Sequence, residues 1–394
     1  MRLPKAERLT GNLREFAAAL TGGNWKSGAF RAAILAIIVV AGALLIAWSG
    51  LVSVAASSGH ARITYLFLDF VKRNAVELQS QGITVPPLDR PGQIMKGAGH
   101  YASGCAPCHG APGHSRSVVS SQMTPTPPLY SEKFSRWGAQ EMFWIVKHGI
   151  KYTGMPAWPA LERDDEIWAM VGFLRQLPEM SPREYDRLAY GPAFHWTEEE
   201  IPRVELRALA DELAPALADC ARCHGFDGMG RGSGTIPQLA GQNEAYLFAS
   251  LQAFASGARR SGIMQAAAAN LDGKTLRTLA SYFAGLSPAD AENAAATGNA
   301  VLARGSVIAT RGIPERGIPA CFQCHGPGPA RNPMYPELAG QYAEYLVLQL
   351  ELFKTGTRGG TPYAHIMETV TRRMTPEDMR AVALYYASLP AKPD

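Results

Sequence analysis

Cys105-Ala106-Pro107-Cys108-His109, Cys220-Ala221-Arg222-Cys223-His224 and Cys321-Phe322-Gln323-Cys324-His325 use all six cysteines of the chain. Each is a CxxCH pentapeptide, the spacing of c-type haem attachment. Two thiols three positions apart share a helical turn, so each can add to one vinyl group of the same porphyrin. The histidine that follows can reach the iron as proximal ligand. The competing readings of a single CxxC are a zinc half-site, a redox dithiol or structural disulfides. A dithiol does not need the trailing histidine, and a zinc site usually pairs two such elements, whereas these copies lie about a hundred residues apart. The spacing predicts three covalently attached haems with their iron.

Before the first motif, residues 32–56 form 25 consecutive positions without a charge, rich in Ala, Ile, Leu and Val. As a helix they would span about 37 Å, against a hydrocarbon core of about 30 Å. The run exceeds the roughly 7 to 15 residues of a signal-peptide apolar region, which favours a retained membrane anchor over a cleaved leader. Arg2, Lys5, Arg8, Arg14, Lys26 and Arg31 precede it against Glu7 and Glu15. The positive-inside rule then places residues 1–31 in the cytoplasm of a bacterium, with a single span of the inner membrane and the haem motifs in the periplasm. The tail also carries the whole formal charge of +4, leaving 32 basic and 32 acidic residues after Arg31. A neutral remainder offers no case for a nucleic-acid partner.

The chain of 394 residues then divides into a juxtamembrane helix and linker (57–90) and three haem domains at 91–190, 191–290 and 291–394. The juxtamembrane helix is apolar from Ile63 to Val71 and is expected to end before Gly82 and the Val85-Pro86-Pro87 break. Domains two and three are internal repeats: Pro237-Gln238-Leu239-Ala240-Gly241-Gln242 recurs as Pro336-Glu337-Leu338-Ala339-Gly340-Gln341. Domain one has Pro125-Thr126-Pro127-Pro128-Leu129 instead.

Each domain closes on a helix whose expected cap is Asp164, Asp272 or Thr375, with apolar residues at helical spacing behind it. A methionine precedes each cap by eight or nine residues: Met155, Met264 and Met367. The shared offset marks them as distal iron ligands rather than core methionines. Met229, Met334 and Met374 lack counterparts in the other domains, and so do His148 and His365.

With these residues in place the chain resembles the class I cytochromes c over residues 91–390. Domains two and three resemble tandem dihaem cytochromes of that class through the CxxCH-Gly starts, the Leu-Ala-Gly-Gln loop and the pairs Ile263-Met264 and Ile366-Met367. Domain one resembles related single-haem modules through its Pro-Pro-Leu loop and the run Thr153-Gly154-Met155-Pro156-Ala157-Trp158. The resemblance implies an all-α fold, here an N-terminal transmembrane helix followed by three class I domains, in which first and last helices cross through a glycine and an aromatic. Gly97, Tyr101 and Trp168 in domain one, and Gly305 and Tyr385 in domain three, fit that crossing. Domain two has no such glycine and carries Pro215.

Histidine on one side of each iron and methionine on the other leave no open position for oxygen or peroxide and raise the potential. The expected function is electron relay, not catalysis. Membrane-bound multihaem cytochromes of similar architecture pass electrons toward a haem-copper terminal oxidase, which makes an oxidase or a quinol-oxidising complex the expected redox partner. The alternative is the cytochrome subunit of a periplasmic dehydrogenase, whose usual anchor is C-terminal. A multihaem peroxidase is a third reading, opposed by three matched methionines.

Overall fold

The computed structural model describes residues 25–133, 136–191, 206–288, 299–326 and 332–391. The basic tail before Trp25, the connector at 192–202 and the start of the module-two helix at Val204 lie outside the described residues. Residues 1–60 and 61–394 form two separate units.

The first unit holds helix α1, Trp25–Trp48, whose stretch Gly28–Trp48 is long and apolar enough to cross a membrane. The helix starts earlier and ends earlier than the uncharged run at 32–56. It ends where Ser49 Oγ bonds the Ile46 carbonyl and Gly50 turns at φ +72°. Lys26 and Arg31 fall in its first two turns.

The second unit is built of helices, and no β-strand occurs among its described residues. Helix α2, Arg62–Gln79, matches the expected juxtamembrane helix and buries Val76, while Ile63, Leu66, Phe67 and Phe70 stay exposed. Module one then runs through α3 (Pro91–Gly104), α4 (Ala139–His148), α5 (Asp164–Gln176) and α6 (Pro182–Ala189). Module two holds α7 (Leu206–His224), α8 (Glu244–Ala255), α9 (Gly262–Ala268) and α10 (Gly273–Gly285). Module three holds α11 (Asn299–Arg311), α12 (Ala343–Lys354), α13 (Ala364–Thr371) and α14 (Pro376–Ser388).

First and last helices cross in modules one and three because a glycine admits the partner backbone. A Cβ on Gly97 would stand 2.8 Å from Phe173 Cβ, and one on Gly305 would stand 2.7 Å from Tyr385 Cβ. Tyr101 joins the module-one crossing at 5.3 Å from the Phe173 ring, whereas Trp168 lies elsewhere and stacks on Phe143 at 4.3 Å. Module two makes its core another way. Leu213 and Leu217 of α7 pack with Leu279, Ala280 and Phe283 of α10. Pro215 is exposed within a helix that runs unbroken into the haem motif.

The repeats meet through reciprocal amides. Gln242 Nε2 donates to the Glu337 carbonyl and Gln341 Nε2 to the Gln238 carbonyl, while the Gln238 and Glu337 N–H groups donate back to Gln341 Oε1 and Gln242 Oε1, all at 2.8 to 3.0 Å. Satisfying both ends of a buried amide against backbone fixes one register between two surfaces. The Leu-Ala-Gly-Gln repeat is thus the contact surface of the pair.

Candidate haem sites

Each CxxCH lies on a helical turn. The motif turns are Ala106–His109 and Phe322–His325 in modules one and three, and the last turn of α7 in module two. In every case the histidine ring is held by a proline carbonyl from the following loop. His109 Nδ1 donates to Pro128 O at 2.7 Å, His224 Nδ1 to Pro237 O at 3.1 Å and His325 Nδ1 to Pro336 O at 3.1 Å. A carbonyl only accepts, so the proton sits on Nδ1 and the lone pair on Nε2, the tautomer an iron ligand requires. Burial also pushes the His109 and His224 imidazoles down, favouring the neutral ring.

The cysteines are unlike those of the competing chemistries. No disulfide joins any two of the six. Burial pushes Cys105 and Cys220 up to about 12 and Cys321 up to about 11, the reverse of the lowered values found in redox dithiols. Among the described residues no group of three or more His, Cys, Asp or Glu side chains is placed to hold a metal ion.

The three methionines occupy related but distinct segments, each half-buried. Met155 lies in the loop between α4 and α5, with its N–H on Thr153 Oγ1 and its carbonyl accepting from Ile150 N–H. Gly149, at φ +63°, admits that loop: a Cβ there would stand 2.6 Å from the Met155 carbonyl oxygen. Met264 lies on α9, where its N–H donates to the cap Ser261 Oγ at 3.0 Å. Met367 lies on α13, where its carbonyl accepts from Thr371 Oγ1 at 2.8 Å. His148 and His365 are exposed and Met374 is 3% exposed in the module-three core. A second thioether, Met123, packs its methyl against Gly154 beside Met155.

Two family models match the chain. The model for subunit III of cbb3-type cytochrome c oxidase matches residues 92–174, and the cytochrome c model matches 211–296 and 303–390. A thiosulfate dehydrogenase electron acceptor of Thiomonas intermedia is 41% identical over 180 residues, 45% of this chain and 82% of that protein. One from Stutzerimonas stutzeri is 40% identical over 181 residues, with the same two shares. Cytochrome c4 of Pseudomonas aeruginosa is 34% identical over 177 residues, 44% of this chain and 84% of its own. The chain belongs to the class I cytochromes c. It is an electron-transfer protein that binds covalent c-type haem.

The cytochrome's interior fits that group at a place the motifs do not reveal. Arg259 and Arg358 are buried at the contact between modules two and three. Arg259 reaches Tyr246, Ser250, Tyr345 and Gln349, Arg358 reaches the Tyr246 hydroxyl at 2.7 Å, and Arg358 Nε has no partner. Burial would raise the Tyr246 hydroxyl, but the two guanidiniums bring it down to about 8. Two buried cations facing phenols call for an anion, and haem propionates carry that charge. When bound, the haem supplies a one-electron couple. The chain's own part is to hold the ring tautomer of each motif histidine.

The sequence did not point to Pro128, Pro237 and Pro336 as acceptors for the motif histidines. The available signal was the Pro-Leu or Pro-x-Leu that follows every motif. It also missed the junction between modules one and two. A Cβ on Gly99 of α3 would lie 2.6 Å from Cys223 Sγ. Arg231 donates to the Arg187 and Leu188 carbonyls at the end of α6 and to Arg222 O inside the second motif.

Proposed function

We propose that this cytochrome is the electron-accepting partner of a periplasmic dehydrogenase, a thiosulfate dehydrogenase in the first instance. The observation that carries the reading is 41% identity across 82% of a protein named for that role. The relatives favour this over the oxidase relay that the sequence put first. Anchor placement had counted against the dehydrogenase reading, but where a chain is anchored does not select its electron donor. Module one's match to an oxidase subunit supports a haem module of that type and keeps an oxidase as the second reading.

Three haems are attached at Cys105/Cys108, Cys220/Cys223 and Cys321/Cys324, with axial pairs His109/Met155, His224/Met264 and His325/Met367. The tandem modules receive electrons and module one passes them on, through the α3 surface that Gly99 brings against the Cys223 thioether position. Helix α1 anchors the chain in the inner membrane, with the modules in the periplasm.

The test is to mix the oxidised full-length cytochrome with thiosulfate and a thiosulfate dehydrogenase and follow the reduced haem bands. Complete reduction dependent on both additions is expected. Absence of reduction by the enzyme, with rapid reduction by a quinol-oxidising complex and reoxidation by a terminal oxidase, would return the assignment to the oxidase relay.

A further inference from the structure

A single buried carboxylate joins module one to the segment that carries the module-two methionine. Glu166, in the first turn of α5, is 2% exposed. Two of its neighbours are local: Trp158 Nε1 donates to Oε2 at 3.2 Å and Arg163 Nη2 stands 3.0 Å from Oε1. The other three belong to module two. Ser261 Oγ donates to Oε1 at 2.5 Å, and the Gly262 and Ile263 N–H groups donate to Oε2 at 2.7 and 3.4 Å. Those N–H groups open α9 and have no acceptor within their own helix. Ser261 Oγ in turn accepts from Met264 N–H at 3.0 Å. Two hydrogen bonds therefore connect the Glu166 carboxylate to the Met264 backbone.

The same position in module three is used differently. Asp378 is likewise third in its closing helix, but it bonds the Thr375 N–H of its own cap and pairs with Arg304 and Arg316 of its own module. In module one the cap residue is Arg163, which makes no side-chain cap bond, and instead its Nη1 donates to the Arg260 carbonyl across the junction at 2.8 Å. Released from a local capping box, Glu166 completes the helix start of the neighbouring module.

We propose that Glu166 is a positioning residue for the sulfur ligand of haem two, so that ligation of that haem depends on module one being docked. The inference rests on Met264 being the distal ligand, as argued above. A seven-residue helix is too short to hold itself, and thioether ligation is sensitive to small displacements of the segment that carries it. The carboxylate that holds the Ser261 cap and the first two N–H groups of this segment comes from another module.

The test uses the full-length, haem-loaded cytochrome and two readouts: the sulfur-to-iron(III) charge-transfer band and the separate midpoint potentials of the haems. All five neighbours of Glu166 are donors, so in Glu166→Gln the new amide must turn its NH2 toward one of them. Glu166→Gln and Glu166→Ala are expected to keep full haem content, to lose part of one haem's share of the band and to lower one potential while the others stay in place. Glu166→Gln keeps the side-chain volume and remains informative where the alanine variant fails to fold. Met264→Ala checks the ligand separately: a band left whole in that variant would overturn the ligand assignment itself. Arg260→Ala breaks the neighbouring ion pair with Glu162 without touching Glu166 and is expected to change neither readout. The positioning role is overturned if Met264→Ala removes one haem's band while Glu166→Gln leaves band and potentials at wild-type values. It is equally overturned if Arg260→Ala reproduces the Glu166 effect, which would mean general loosening of the junction.

Discussion

A proline carbonyl orients each motif histidine, and a glycine at each of two helix crossings lets backbones approach. Both are single-residue devices with sharp consequences. Gly97→Val would place branched carbons where Phe173 Cβ already lies 2.8 Å from the first of them. Overpacking of this kind costs about 1 to 3 kcal/mol, to be read as a lower denaturation midpoint of module one. Asp378 gives a pH signature. Burial would raise its pKa, but the Thr375 N–H and the guanidiniums of Arg304 and Arg316 hold it below the usual carboxylate range. A folded value under the unfolded value of about 3.9 means the group contributes stability above that pH and loses it as pH falls through the folded value. Denaturant titrations of wild type and Asp378→Asn should differ by about 1.5 kcal/mol at neutral pH and converge in acid. A difference independent of pH would contradict the pairing. The CxxCH cysteines and histidines were legible because attachment chemistry dictates residue type and spacing, and the methionines stand as proposed ligands on their shared offset. Glu166 and Gly99 were not, because their partners lie about a hundred residues away and leave no periodic trace.

The closing helices show how far local signals reach. Thr375-Pro376 announces the start of α14, and the capping box with Asp378 is formed. Asp272 likewise caps α10. Thr375→Ala should cost about 1 kcal/mol, measured by chemical denaturation followed through the module-three haem. Module one departs from this pattern: its helix begins at Asp164 with Arg163 as cap, since the acidic residues there serve Lys96, Arg163 and module two. Charge counting also misplaced the ends of α1. An uncharged run marks apolar surface, whereas the helix stops at the Ser49-Gly50 turn and admits Lys26 and Arg31 at its other end.

Across the whole molecule, three CxxCH modules were readable from the repeated motifs, whereas the dehydrogenase partner is a proposal that rests on the relatives. The anchor is testable directly: N-terminal sequencing of the mature protein should find the chain uncleaved, and a start near Ser57 would show a removed leader. The central claim is a serial relay in which module one lies on the route out of the tandem pair. Met155→His tests it most directly, because replacing thioether by imidazole lowers the potential of that haem. With the drop confirmed by redox titration, electron flow from thiosulfate dehydrogenase through the cytochrome to its membrane acceptor should slow. Unchanged flow at a confirmed lower potential would contradict the relay and leave module one off the electron path.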